Sequence, residues 1–369
     1  MAEPWYQVDD IHKIDSPALL IYKERVQHNL ALAVTILGDV SRLRPHVKTH
    51  KSPQATKLML EAGIRKFKCA TIAEAEMLAQ CGAPDVLLAY QPTGPKIRRL
   101  LKLIQQYPAT RFSCLLDSVD AVRPIASEAV SNHLEVNVFI DVNIGMNRTG
   151  VLSQDVVSLY LGCLELKAIS VIGLHGYDGH IIDTDLGTRK QRADEAYDTL
   201  ISVRRILQSI GLEQPIMVIS GSPTFAIHAQ RKDVECSPGT FVYWDRSYQE
   251  SFPDLGFLPA ALLVCRVVSI VNATTICLDL GHKSVAPENP LNRRVYFLIA
   301  EELKPVSQSE EHLVVETGTP NRYKVGDVLY GMPYHVCPTC ALYDTAYVIE
   351  NGRVKEEWQM VARDRKLLI

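Results

Sequence analysis

The densest run of reactive side chains is Arg44-Pro45-His46-Val47-Lys48-Thr49-His50-Lys51. A basic, histidine-punctuated segment leaves an apolar run there and meets a helix beginning near Ser52-Pro53. A lysine at a strand end among other cations is the setting in which a neutral, nucleophilic amine is made. Lys48 is therefore a candidate for Schiff-base chemistry. The competing reading of the same residues is a solvated basic loop.

Four further stretches carry chemistry. Asp141-Val-Asn-Ile-Gly-Met-Asn-Arg-Thr-Gly150 follows an apolar run; Gly145 and Gly150 permit tight turns, and Arg148 offers a permanent charge on a planar donor fork. Leu174-His175-Gly176-Tyr177-Asp178-Gly179-His180 gathers polar and aromatic groups on one short loop, as a substrate pocket requires. A loop histidine bonded only to backbone is the alternative for His180. Ser220-Gly221-Ser222-Pro223-Thr224 has small residues that expose backbone N–H groups, plus hydroxyl donors, a combination suited to phosphate; a ligand-free N-cap turn explains it equally. In Pro333-Tyr-His335-Val-Cys337-Pro-Thr-Cys340, an extended backbone would point His335 and Cys337 to the same side. Imidazole plus thiolate suits Zn²⁺, and two protein ligands leave positions open for water or substrate. Cys340 is the rival ligand, and a buried cysteine beside a hydrogen-bonded histidine is the non-metal reading.

Strand-like runs at 66–70, 86–90, 111–116, 136–141, 171–175 and 216–220 alternate with helical periodicity at 72–80, 96–106 and 189–210. Adding Ser41–Pro45 and a short run near Val234 gives about eight strands separated by helices. The expected class is α/β, a (β/α)8 TIM-type barrel whose functional groups collect at the strand C-termini. A doubly wound sheet is second, without a GxGxxG to support it. Beyond about residue 250, runs at 262–271, 275–280, 295–299, 312–315 and 345–349 predict a mainly antiparallel β-domain. Asn351-Gly352 marks a hairpin within it.

The chain has 369 residues, a length comfortable for two domains, and its 47% apolar and 22% charged content with a formal net charge of −3 is ordinary for a globular protein. That charge argues against nucleic acid or an anionic membrane as the main partner. No apolar run is long enough to span a bilayer, and residues 1–6 show no secretory pattern. Nine scattered cysteines read as reduced thiols of a cytoplasmic protein.

The segment 44–51 resembles the cofactor-lysine signature of the D-threonine aldolase and D-serine dehydratase family, pyridoxal-phosphate enzymes of the alanine-racemase fold type (fold type III). The resemblance implies a cofactor-binding barrel over residues 16–248 and a β-domain from residues 1–15 and 249–369 that carries a metal site. It implies that Lys48 forms the Schiff base with pyridoxal phosphate, and that Arg148 donates to the cofactor's phenolic oxygen. Tyr177 would lie against the cofactor. Ser220, Gly221, Ser222 and Thr224 would bind its phosphate together with Gly239 and Thr240, which resemble a second phosphate loop. His180 would be the acid/base near the substrate's β-hydroxyl, and His335 with Cys337 would hold a divalent metal, zinc or manganese, with magnesium as a third option. Asp279 and Lys283 would help shape the site. The activity implied first is aldol cleavage of a small D-β-hydroxy amino acid to glycine and an aldehyde. Alternatives are D-serine dehydration to pyruvate and ammonia, 3-hydroxy-D-aspartate cleavage, racemisation, or cofactor binding without catalysis. A homodimer is expected.

Overall fold

The computed structural model describes residues 4–212, 214–318 and 321–369. The chain forms two compact units, one of Ala33–Lys48, Thr56–Gly239 and Asp364–Ile369, the other of Met1–Leu32, Thr49–Ala55 and Thr240–Arg363. Two of the five divisions fall beside candidate site residues, at the Lys48–Thr49 and Gly239–Thr240 peptides.

The first strand, β1 (Ala18–Tyr22), belongs to the antiparallel sheet. The parallel sheet follows in strict chain order: β2 (Lys66–Cys69), β3 (Asp85–Leu88), β4 (Arg111–Leu116), β5 (Val136–Val142), β6 (Ile169–Gly176), β7 (Ile216–Ile219) and β8 (Glu235–Cys236). Sequential parallel order with helical crossovers curls such a sheet towards closure. Helices at Ile72–Gln80, Val119–Ser131 and Leu186–Ser209 start where Thr71, Ser118 and Asp185 accept the N–H of Glu74, Ala121 and Thr188.

Among the described residues the parallel sheet has seven strands where eight were expected, and the difference has a local cause. Residues 40–42 form a 3-10 turn, not the start of a strand. The next residues nevertheless bridge the two sheet edges: Arg44 and His46 donate to the carbonyls of Cys236 and Pro238, while Val47 donates to Lys68 and Lys68 to Pro45. Leu43 pairs in parallel with Cys236, and His46 with Lys68. Pro45 has no N–H to give, so a continuous ladder cannot form across the segment.

The second unit is built on a mainly antiparallel sheet. Its central strand β9 (Ala261–Asn272) pairs antiparallel with β1, which runs parallel to the strand at Thr345–Glu350. Asn351 and Gly352 both take positive φ in the turn to Arg353–Gln359, as a two-residue hairpin requires. Strands at Lys304–Gln308 and Val328–Pro333 were not evident from the sequence. Tyr6, Val8, Leu20, Tyr22, Leu262, Val264, Met332 and Ile349 form a core cluster.

Candidate active site

Arg44, the first residue of the lysine motif, is structural. It is fully buried, with Nε 2.7 Å from Glu235 and Nη1 2.5 Å from Asp85, and Lys66 and Arg111 reinforce the same two carboxylates. The motif's histidines shape backbone. His46 Nδ1 accepts the N–H of Lys48 (3.2 Å), and His50 Nδ1 accepts that of Ser52 (3.1 Å). Burial, helped by the Lys51 charge, pushes His50 down to about 3, so its ring is neutral.

Lys48 is half-buried. Its Nζ lies 5.9 Å from the centroid of Tyr177, and Arg148 Cζ lies 5.0 Å from the same ring. A third cation, Lys68 on β2, approaches that ring to 5.5 Å and gave no signal in the sequence beyond an inward strand position. Three basic side chains around one aromatic ring form an anion-binding environment. That donor chemistry fits a ligand with a phosphate ester, a phenolic oxygen and a carbonyl that takes up an amine, which are the groups of pyridoxal phosphate.

The loop after β7 is bonded into the protein itself. Ser220 has φ +88°, an uncommon conformation for a residue with a side chain and one found at ligand loops. Gly221 N–H donates to Asp178 Oδ1 (2.7 Å), and Gly239 N–H donates to Ser222 Oγ (3.2 Å), which ties the two expected phosphate loops together. Thr224 Oγ1 lies 3.5 Å from the Gly221 carbonyl. Asp178 is the buried anchor of this loop. Its second oxygen meets His228 Nε2 at 2.8 Å, and although burial raises a carboxyl, that bond holds Asp178 below the usual range. Sequence reasoning placed Asp178 in the candidate loop without a role and passed over His228. They lie 50 residues apart and only the fold pairs them.

His180 is half-buried, with Nδ1 enclosed and, among the described residues, without a hydrogen-bond partner. Burial, then the Arg192 charge, lowers its basicity and favours the neutral ring. Gly145 has φ +116°, and a Cβ there would stand 2.9 Å from His180 Nε2. Glycine keeps that nitrogen uncrowded.

In the second unit, His335 and Cys337 do converge, but not by the expected route. His335 is the N-cap of a short helix, Val336–Cys340, so the segment is not extended; a tight helical turn brings the two side chains into hydrogen-bonding contact. His335 Nδ1 lies 2.5 Å from Glu288 Oε1, and Cys337 Sγ lies 3.1 Å from Thr49 Oγ1 and 3.5 Å from Thr240 Oγ1. Burial opposes protonation of His335, but Cys337 and the nearby carboxylates outweigh it and push it up to about 9. Among the described residues no group of three or more His, Cys, Asp or Glu side chains forms a metal cage. An imidazole and a thiol, with a carboxylate orienting the imidazole, fit a cation held by two protein ligands. Thr240, expected at phosphate, is engaged with Cys337, and Cys340 is buried. Asp279 accepts from the N–H of Arg266 (2.6 Å), and Lys283 pairs with Glu310 (2.5 Å), so both serve their own unit.

Residues 21–247 match the alanine racemase N-terminal domain family. The chain belongs to that family. Residues 260–349 match a putative serine dehydratase domain. A D-threonine aldolase of Arthrobacter sp is 26% identical over 96% of this chain and 94% of its own. A 3-hydroxy-D-aspartate aldolase of Paracoccus denitrificans (strain Pd 1222) is 25% identical over the same shares. The solved D-threonine aldolase of Filomicrobium marinum superposes with a TM-score of 0.88 at 24% identity, covering 98% of this chain and 99% of that one. The fold is alanine-racemase-like, and by family this is a pyridoxal-phosphate-dependent lyase of the aldolase and dehydratase type. No helix among the described residues is long and apolar enough to cross a membrane.

Proposed function

We propose that this enzyme is a D-threonine aldolase-like lyase that cleaves a small D-β-hydroxy amino acid to glycine and an aldehyde. The observation that carries the reading is His180, a neutral imidazole whose Nε2 is kept uncrowded by Gly145 in the same unit as Lys48 and Arg148. When bound, pyridoxal phosphate supplies an electron sink for the bond broken at the substrate's Cα.

The chain's own residues do the rest. Lys48 presents the amine that holds the cofactor and yields to the substrate's amine. Arg148 offers donors at the cofactor's phenolic oxygen, with Tyr177 against the ring. Ser220, Gly221, Ser222, Thr224 and Gly239 hold the phosphate end, with Thr240 following in the chain, and Asp178 fixes their loop. His180 takes the proton of the β-hydroxyl at Nε2 as Cα–Cβ breaks, a positioned base of the kind that contributes about 10²–10⁴-fold. His335 and Cys337 would hold zinc, manganese or magnesium, a Lewis acid for an oxygen ligand. On the same reading the barrel unit is the cofactor domain and the β-rich unit the metal domain. The protein then works in the cytoplasm as a homodimer on small substrates, without nucleic-acid or membrane partners.

The second reading, D-serine dehydration, is favoured by the thiol in the His335–Cys337 pair, a soft ligand that suits zinc. Product analysis separates the two. Pyridoxal-phosphate-loaded protein is given D-threonine or D-serine, with and without Mn²⁺ or Zn²⁺. Glycine plus acetaldehyde supports the aldolase; pyruvate plus ammonia from D-serine, with no cleavage of D-threonine, overturns it. Activity unchanged by EDTA removes the metal from the reading.

A further inference from the structure

Lys68 has no role in the sequence reading or the proposed mechanism, yet it is among the largest fully enclosed side chains of the molecule. Its Nζ lies 2.5 Å from Ser237 Oγ and 3.4 Å from His175 Nε2. His175 Nδ1 in turn meets Asp141 Oδ1 at 2.7 Å, and Thr149 donates to the other Asp141 oxygen (2.8 Å). Among the described residues Lys68 thus touches no carboxylate directly. Elsewhere in the same sheet, cations that serve the fold do: Arg44 grips Asp85 and Glu235, and Lys66 grips Glu235. A buried amine bonded to neutral groups is costly for the fold unless its charge meets something else. What it faces is the ring of Tyr177, alongside Lys48 and Arg148.

We propose that Lys68 belongs to the ligand pocket, as a third cation that faces a bound anion and shares its proton along an Asp141–His175–Lys68 relay. The inference rests on the reading of this pocket as a pyridoxal-phosphate site. The groups around Lys68 make its charge responsive. Burial, then the Lys48 charge and more weakly that of Arg44, lower it to about 7, against Asp178 and Asp141. Burial and the same Lys68 charge keep His175 from protonating, against its bond to Asp141. Only a modest change in the pocket is therefore needed to move the proton. A bound phosphate ester favours the ammonium, so binding above neutral pH takes up a proton at Lys68.

The test uses full-length apoprotein and two probes. Pyridoxal 5′-phosphate is followed by its visible absorption. Pyridoxine 5′-phosphate, which has no aldehyde, is followed by calorimetry at about pH 8 in buffers of different ionisation enthalpy, which reads protons taken up. Wild type should take up a proton, with affinity falling as pH rises through about 7 and beyond. Lys68→Met should bind about tenfold or more weakly below neutral pH, through the lost charge, and lose that uptake. Lys68→Arg, with a fixed charge, should keep the affinity and also lose the uptake, which a merely space-filling role would not produce. If Lys68→Met does not fold, Lys68→Arg carries the test alone. Wild-type affinity and proton uptake in a folded Lys68→Met, or unaltered uptake in Lys68→Arg, overturns the proposal while the cofactor reading stands. Failure of wild type to bind either probe overturns both.

Discussion

Asp178 is the point at which the loop after β7 is fixed, and replacing it separates loop geometry from global stability. Its side chain is fully enclosed, with one oxygen 2.7 Å from Gly221 N and the other 2.8 Å from His228 Nε2. Asp178→Asn keeps a neutral acceptor for Gly221, worth about 1 kcal/mol where the charge-assisted bond is worth about 1.5–3 kcal/mol, and turns its NH2 towards the N–H of His228 Nε2, whose Nδ1 faces the Arg231 guanidinium, so that bond is lost. A loss of about 1–2 kcal/mol at Gly221 predicts pyridoxal-phosphate affinity lower by roughly 5–30-fold. Asp178→Ala leaves the Gly221 N–H and the His228 ring without their partner, a cost of about 3–5 kcal/mol that should show in urea unfolding as well. The assay is a cofactor titration by visible absorption, run beside urea melts of each variant. Wild-type cofactor affinity in Asp178→Asn, with stability alone reduced, would refute the reasoning, because Asp178 would then support the core and not the loop. Because Asp178 is held below its unfolded pKa, its contribution is present above the ordinary carboxylate range and is lost as pH falls through the lowered value.

Two further outcomes follow from the geometry. Gly145→Ala places a methyl 2.9 Å from His180 Nε2 at φ +116°, so turnover should fall at least tenfold while cofactor absorption stays intact; unchanged turnover removes His180 Nε2 from the mechanism. His50, pushed down to about 3 when folded, remains neutral while the unfolded chain protonates near 6.5, so stability is lost as pH falls from about 6.5 towards 3, at up to about 1.4 kcal/mol per pH unit. His50→Asn retains an acceptor for Ser52 N–H and should flatten that part of the stability profile, measured by urea midpoints at each pH; an unchanged slope assigns the acid sensitivity to other groups.

Much of the architecture was legible because strands and turns are short-range patterns. Alternating apolar and helical runs located β2 to β7, and Asn351-Gly352 located its hairpin from two residues whose positive φ is a local preference. Strand β1 reads as an ordinary apolar strand, and nothing within five residues says which sheet it joins; its partners are Ala261–Val264 and Ala346–Ile349. The segment 333–340 was misread as extended because His-x-Cys spacing constrains side chains only once the backbone is known. With His335 as N-cap, the same spacing closes over a helical turn.

The sequence by itself determined which reactive groups exist and on which loops they sit: Lys48 after the bridging segment, Arg148 after β5, Tyr177 and His180 after β6, Ser220–Thr224 after β7. Chain order and strand period place them at strand ends wherever the sheet curls. Only the tertiary structure decided how each charge is used. Arg44 meets carboxylates 41 and 191 residues away, Lys68 meets His175 at 107, and Asp178 meets His228 at 50. Composition gives each of these side chains the same formal charge as a surface residue. Enclosure and the identity of the partner separate a cation that holds the sheet together from one left facing the pocket, because removal from water makes an unmatched charge costly and a matched one strong.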